Sequence, residues 1–172
     1  MLRRSLISCT IAALALVPMT GMVQAQSTTT TQAQSGSVDA AKLPALEGGD
    51  FATATSELAV SKATHPSVKA FANLEIAEQA ATARAFGSQP GAAGLTEAHA
   101  AMLAQLEAAE GAEFDMMYIE GQITGHEELL QIHQNYARNG DDPMARGASM
   151  VGVTGIQTHL VMLQSIERSL GQ

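Results

Sequence analysis

The chain has 172 residues, 15% of them charged, and its 17 Asp and Glu outnumber its nine Lys and Arg. This acidity argues against nucleic acid as a partner, because binding of phosphates needs clustered Lys and Arg. Aromatic residues are only 3% of the chain, so platforms for base stacking are also disfavoured.

The N-terminus has the pattern of a secretory signal peptide. Arg3 and Arg4 precede an uncharged stretch over residues 5–17, and Val-Gln-Ala at residues 23–25 forms a cleavage site. The apolar run is roughly a dozen residues long, short of the ~20 that span a bilayer. We therefore predict a signal peptide over residues 1–25, a periplasmic or secreted protein, and no transmembrane segment after processing.

Cleavage at this point has a chemical consequence, because the only cysteine, Cys9, leaves with the signal peptide. Disulfides, thiolate zinc sites and cysteine nucleophiles are then excluded from the mature chain. About 147 residues remain, the usual size of one domain.

The segment over residues 26–48 is mostly Ser, Thr, Gln, Gly and Ala, so we predict a disordered leader there. The folded domain is predicted over residues 49–172. It is rich in helix-forming residues and has no run of alternating β-branched residues. Helix stops and caps divide it into five predicted helices, over residues 50–64, 66–86, 96–111, 112–138 and 143–170.

The last two predicted helices are each about 27 residues long and are joined by a turn of only a few residues, so they are expected to be antiparallel. The sequence thus predicts an all-α, up-and-down helical bundle with a long C-terminal helix hairpin.

Several polar residues recur at helical spacing among apolar ones and are expected to face the core. The last helix carries the row Gly152, Ile156, His159, Leu163, Ile166 and Leu170. The fourth helix carries Asp115, Ile119, Gln122, His126, Leu130 and His133. The second helix carries Val68, Ala72, Glu75 and Gln79, with Glu78 on the flank of this row, and the first helix carries Glu57.

A family resemblance rests on some of these residues and their neighbours. The matching stretches are Glu57-Leu58-Ala59, Lys62-Ala63, VKAFA at residues 68–72, Phe114-Asp115, Tyr118-Ile119, His126 and His159-Leu160. Together they resemble the family called domain of unknown function 4142, over about residues 49–170. The resemblance implies an exported bacterial protein with a ferritin-like bundle, often labelled an outer membrane protein, and no agreed activity. It also implies that Glu57, Asp115, His126 and His159 occupy the characteristic polar positions of the family.

The chain departs from the family pattern at the end of the second helix, where Glu78-Gln79 replaces the usual Asp-His. An amide is a poor ligand for iron or zinc, so the change counts against a metal site of the family type. Glu75 lies one turn before Gln79 and could partly compensate.

The histidines do not form the motif of a di-iron bundle, in which glutamate precedes histidine by three residues. None of the five histidines has this glutamate, so a ferroxidase is disfavoured. A single divalent metal held by His126 and His159 with Glu57, Glu75 or Glu78 remains open. The simpler interpretation is a pair of buried histidines that are hydrogen bonded within the core, with no cofactor.

The sequence therefore leaves two hypotheses for the function. The first is a non-enzymatic envelope protein that acts by contacting a protein partner or the envelope, with stress tolerance as an expected role. The second is a metal-binding or redox protein with a degenerate ferritin-like site. An enzyme is the less favoured interpretation, because no nucleophile elbow, phosphate loop or His-Glu-x-x-His motif is present. Gly147, Gly152 and Gly155 weaken the last helix unless they allow a bend or close helix packing.

Overall fold

The computed structural model describes residues 39–171, which fold into five helices and contain no strand. The helices are α1 (Leu43–Lys62), α2 (Pro66–Ala85), α3 (Glu97–Ala108), α4 (Gly111–Asn139) and α5 (Pro143–Leu170). The prediction of an all-α helical bundle is confirmed. The predicted signal peptide and most of the predicted leader lie outside the described residues. Within residues 39–171, no helix is long and apolar enough to cross a membrane.

The start of α1 corrects the prediction for the leader. The helix begins at Leu43, inside the segment 26–48 that was predicted to be disordered. Ala45 and Leu46 are 2% and 4% exposed and belong to a hydrophobic cluster at one end of the bundle. The polar composition of the segment as a whole concealed this short apolar end, which packing holds in a helix.

Helices α4 and α5 form the long hairpin that the sequence predicted, with 29 and 28 residues. They are antiparallel, because hydrogen bonds join His126 to His159 and, further along, His133 to Ser149. A turn of three residues between the helices enforces this arrangement.

Helix α1 packs on both α2 and α4, and α2 packs on α5, so these four long helices form the bundle. The side chains of Ser56 and Thr55 on α1 hydrogen bond to Tyr118 and Gln122 on α4, respectively. The shorter α3 packs on α1 and α4. Each neighbouring pair of the four long helices is therefore antiparallel, and α2 runs parallel to α4.

The core has two apolar parts. The larger cluster lies towards the α1–α2 corner, and its largest members are Phe71, Phe114, Tyr118, Ile119 and Leu163. The smaller cluster lies at the other end and contains Ala45, Leu46, Ala83, Phe86, Tyr136 and Ala145. A layer of buried polar side chains occupies the middle of the bundle.

The α1–α2 corner is fixed by a carboxylate from α4. Asp115 is 1% exposed and accepts hydrogen bonds from the backbone N–H groups of Thr64 (3.0 Å) and His65 (2.8 Å). The Thr64 hydroxyl donates a third bond, at 2.5 Å. This carboxylate satisfies backbone N–H groups in the short connection that precedes α2, and it ties α4 to the beginning of α2.

The loop between α2 and α3 is held in a similar way by α1. Asp50 accepts hydrogen bonds from the backbone N–H groups of Gly91, Ala93 and Gly94 at 2.7–2.9 Å. Gly91 and Gly94 have φ angles of 80° and 77°, which favour glycine because they lie in the left-handed region.

Candidate metal centre

Three side chains from three different helices meet in the polar layer. They are Glu75 on α2, His126 on α4 and His159 on α5, and their exposed fractions are 0%, 1% and 5%. Glu75 Oε2 lies 3.4 Å from His126 Nε2 and 3.3 Å from His159 Nδ1. The two imidazole nitrogens are 3.2 Å apart. The three atoms form a nearly equilateral triangle of potential metal ligands.

The outer nitrogen of each imidazole has its own partner. His126 Nδ1 lies 2.8 Å from the backbone carbonyl oxygen of Gln122, which can only accept a hydrogen bond. The Nδ1 atom therefore carries the proton, and the neutral ring presents the lone pair of Nε2 to the triangle. His159 Nε2 lies 3.1 Å from Glu78 Oε2, so the tautomer with its proton on Nε2 directs the lone pair of Nδ1 inwards. A metal ion between the rings would then replace the hydrogen bond that joins them.

The two oxygens of Glu75 have different environments. Oε1 accepts a 2.7 Å hydrogen bond from the side-chain amide of Gln79. Oε2 is buried and has no aligned hydrogen-bond donor among residues 39–171. The two inner imidazole nitrogens lie within ion-pair distance of this oxygen. A buried carboxylate oxygen without an aligned donor is costly, so it favours a positive charge beside it, either a protonated imidazole or a metal ion.

The electrostatics keep this carboxylate ionised. Burial alone raises the pKa of the Glu75 carboxyl, but the contacts with His126 and His159 and the Gln79 amide outweigh it and lower the pKa to about 2. The pKa of His159 is raised, chiefly by its contact with Glu75. Glu75 thus favours the protonated form of His159, and a metal ion would compete with that proton.

The size of the triangle suits a tetrahedral metal ion. Ligand atoms bound at about 2.0–2.1 Å and at tetrahedral angles lie about 3.3–3.4 Å apart. The observed separations are 3.2, 3.3 and 3.4 Å. The side chains therefore need little movement to place three donors on one ion.

An aromatic side chain covers one side of the centre. The Phe71 ring centroid lies 5.8 Å from that of His126 and 5.4 Å from that of His159. Phe71 is 1% exposed, so it keeps this side dry. Low polarity strengthens the interaction of a cation with the carboxylate.

The five residues predicted as metal ligands have different positions. Glu75, His126 and His159 come together, whereas Glu78 contacts only the outer nitrogen of His159 and its side chain is 48% exposed. Glu57 is exposed on α1 and lies outside this cluster. The neighbouring Ser56 faces the core instead, and one residue along a helix turns the side chain by about 100°.

The sequence did not reveal that Gln79 holds the carboxylate. Gln79 was considered only as a poor substitute for an imidazole ligand, yet it acts on Glu75, one turn before it. The spacing of four residues was the available signal, because side chains at this distance meet on a helix surface. The Gln122 carbonyl gave no signal, since every residue has one.

The helical bundle and its buried carboxylate–imidazole cluster define the class: an all-α protein with one polar centre between two apolar clusters. Over residues 21–166 the chain matches the family model described as domain of unknown function (DUF4142), and it belongs to this family. The resemblance noted in the sequence is thereby confirmed. Neither the curated proteins nor the solved structures include a significant match to the chain.

Proposed function

We propose that the protein binds a single divalent transition-metal ion through Glu75, His126 and His159. The observation that carries the proposal is the convergence of one carboxylate oxygen and two imidazole nitrogens from three helices at 3.2–3.4 Å.

The outer contacts support the same function. Histidines that bind metals usually donate their second N–H to a carboxylate or carbonyl, which fixes the ring and its tautomer. Glu78 does this for His159, and the Gln122 carbonyl does it for His126. Gln79 fixes the carboxylate of Glu75. All three candidate ligands are thus oriented before an ion arrives.

The donor set favours zinc among the divalent ions. Two nitrogens and one oxygen suit zinc and its first-row neighbours better than magnesium or calcium, which prefer oxygen ligands alone. Two imidazoles and one carboxylate also bind Fe²⁺ in other proteins, so Fe²⁺ is the alternative ion to test beside zinc. The tetrahedral geometry of zinc fits the observed distances.

The proposal places this activity outside the cytoplasm. The signal-peptide pattern of residues 1–25 supports this location, because such a peptide directs export to the periplasm or the extracellular space. A non-enzymatic envelope role through a protein partner, including one in stress tolerance, is compatible with a metal that stabilises the bundle. The metal site is the more specific proposal, because named side chains support it.

Calorimetric titration of metal-free protein with Zn²⁺ tests the proposal. One ion per chain is expected to bind to the wild type. Glu75→Gln should weaken binding at least 100-fold, because it removes the only negatively charged ligand. The matched control is Glu57→Gln, which makes the same change at an exposed position of α1. Equal zinc affinity in both variants and the wild type, or no binding to the wild type, would refute the proposed site.

Thermal unfolding gives a second readout. Binding to the folded state alone stabilises it by about 2.7 kcal/mol at a free ion concentration 100 times Kd. Zinc should therefore raise the Tm of the wild type and of Glu57→Gln by several degrees, and leave that of Glu75→Gln nearly unchanged.

A further inference from the structure

The cluster supplies three protein ligands, whereas a tetrahedral ion takes four. Among residues 39–171 no other Asp, Glu, His or Cys joins the three at ligand distance. Glu78 cannot complete the set, because it contacts the ring nitrogen of His159 that points away from the triangle. Closed structural zinc sites have four protein ligands, and sites that react or exchange ligands keep one position open.

A cleft between α2 and α5 opens beside the two imidazole ligands. Both imidazole ligands line it, together with Glu78, Gln79, Thr82, His133, Gly152, Gly155 and Ile156. Phe71 blocks the approach at another side of the two rings. The cleft therefore marks the side from which a small molecule would approach an ion held by the cluster.

Two glycines of α5 keep the cleft open. A Cβ atom built on Gly155 would meet no atom within 4 Å, and one on Gly152 would meet only the His133 ring, at ordinary contact distance. Close helix packing thus does not explain these glycines, although each weakens α5 by up to about 1 kcal/mol relative to alanine. The two glycines instead leave free space beside the two imidazole ligands.

The cleft also offers a hydrogen-bonding group that the metal ligands do not use. His133 is 4% exposed, and its Nδ1 lies 3.0 Å from Ser149 Oγ. This contact leaves Nε2 as the ring atom for a further partner. Burial lowers the pKa of His133 to about 4, so the ring is neutral at pH 7. A neutral imidazole can orient a small polar molecule without adding charge.

We propose that the metal ion has an exchangeable fourth ligand, and that the α2–α5 cleft admits a small oxygen- or nitrogen-donor molecule to this position. Water would occupy the position in the resting state, and the ligand would replace it by donating a lone pair to the ion. No oxidation or reduction is involved. This inference rests on the proposed metal site and adds that the site is open to a ligand.

Azide binding to cobalt-loaded protein tests the inference. Co²⁺ takes the place of the metal and gives a visible spectrum, and azide is a slim nitrogen donor. The key variant is Gly155→Leu, whose side chain would extend into the cleft. The matched control is Gly147→Leu, which makes the same change in the same helix at a position with equal space, but outside the cleft.

All three proteins are expected to bind Co²⁺ with equal affinity. Azide should change the spectrum of the wild type and of Gly147→Leu, and should bind at least tenfold more weakly to Gly155→Leu. If Gly155→Leu does not fold, Thr82→Leu narrows the cleft from the α2 side and should show the same loss. The azide titration of the wild type alone decides whether the fourth position is exchangeable, so this result does not depend on any variant.

The possible failures are distinct. If the wild type binds no Co²⁺, the proposed function fails, and this inference fails with it. If Co²⁺ binds and azide leaves the spectrum unchanged, the metal site stands and the open position is refuted. If azide binds equally to the wild type and the cleft variants, the α2–α5 cleft is not the route.

Discussion

Gln79 donates a 2.7 Å hydrogen bond to Oε1 of Glu75, the residue one turn before it on α2. This bond directs the other oxygen, Oε2, towards His126 and His159. The Gln79 amide, a poor metal ligand itself, thus positions a candidate ligand of a different chemical type.

The replacement Gln79→Met should weaken zinc binding about 10–100-fold, because loss of an outer partner frees the carboxylate to turn away. The fold should remain, since methionine fills a similar volume. Zinc titration measures the change. Gln131→Met, at an exposed position of α4, is the matched control and should bind zinc like the wild type. Equal affinity in both variants would show that Gln79 does not position the ligand.

The two buried tyrosines of α4 should respond differently to loss of their hydroxyl groups. Tyr118 shares a 2.8 Å hydrogen bond with Ser56, whereas the Tyr136 hydroxyl has no partner among residues 39–171. Tyr118→Phe should lower the free energy of unfolding by about 1–2 kcal/mol, and Tyr136→Phe should change it little or raise it. Urea unfolding of both variants measures this, and the reverse order would contradict the assignment.

The buried His133 should make the protein less stable in mild acid. Burial lowers its pKa from 6.5 to about 4, so between these values the unfolded chain binds a proton that the folded chain does not. The free energy of unfolding is therefore unaffected by His133 above about pH 6.5. As the pH falls from 6.5 to about 4, protonation of His133 in the unfolded chain lowers this free energy by up to roughly 3 kcal/mol.

Urea unfolding at several pH values between 7 and 4 can isolate this effect. His133→Gln cannot take up the proton, so its free energy of unfolding should fall less steeply with pH than that of the wild type. Parallel curves for the two proteins would mean that another group causes the acid sensitivity.

The loop at Gly91–Gly94 should depend on one side chain of α1. Asp50→Ala removes the acceptor of three backbone hydrogen bonds and should lower the free energy of unfolding by about 1–3 kcal/mol. Amide hydrogen exchange at Gly91, Ala93 and Gly94 should accelerate. Asp141→Ala, at an exposed position, is the control and should leave these amides protected.

The fold was largely predictable because the chain marks its helix ends. Asp142 and Pro143 open α5 as predicted, and the Asp142 carboxylate accepts hydrogen bonds from the backbone N–H groups of Met144 and Ala145. The start of α1 was missed, since Ala45 and Leu46 are only a short apolar end of a polar segment. Their burial depends on residues far away in the sequence.

The candidate site was predictable in part. The helical spacing placed His126 and His159 in the core, and both are buried. The spacing could not show whether Glu57 or Glu75 is the carboxylate that faces the two histidines, because the relative rotation of packed helices depends on all their contacts. The cleft was also hidden, since a glycine in a helix indicates either close packing or open space, and only the neighbouring atoms distinguish the two.

The hydrogen bonds of Asp115 to the α1–α2 corner fix the start of α2 beside the start of α4, and these two helices run parallel from there. From His65 at this corner, α2 rises ten residues to Glu75, about 15 Å, and from Asp115, α4 rises eleven residues to His126, about 16 Å. Two nearly equal lengths, measured from one point, bring the carboxylate and the imidazole to the same height. Insertion of a single residue between His65 and Glu75 would turn the carboxylate by about 100° and raise it by about 1.5 Å. The bundle would thus lose the proposed metal site before it lost its helices.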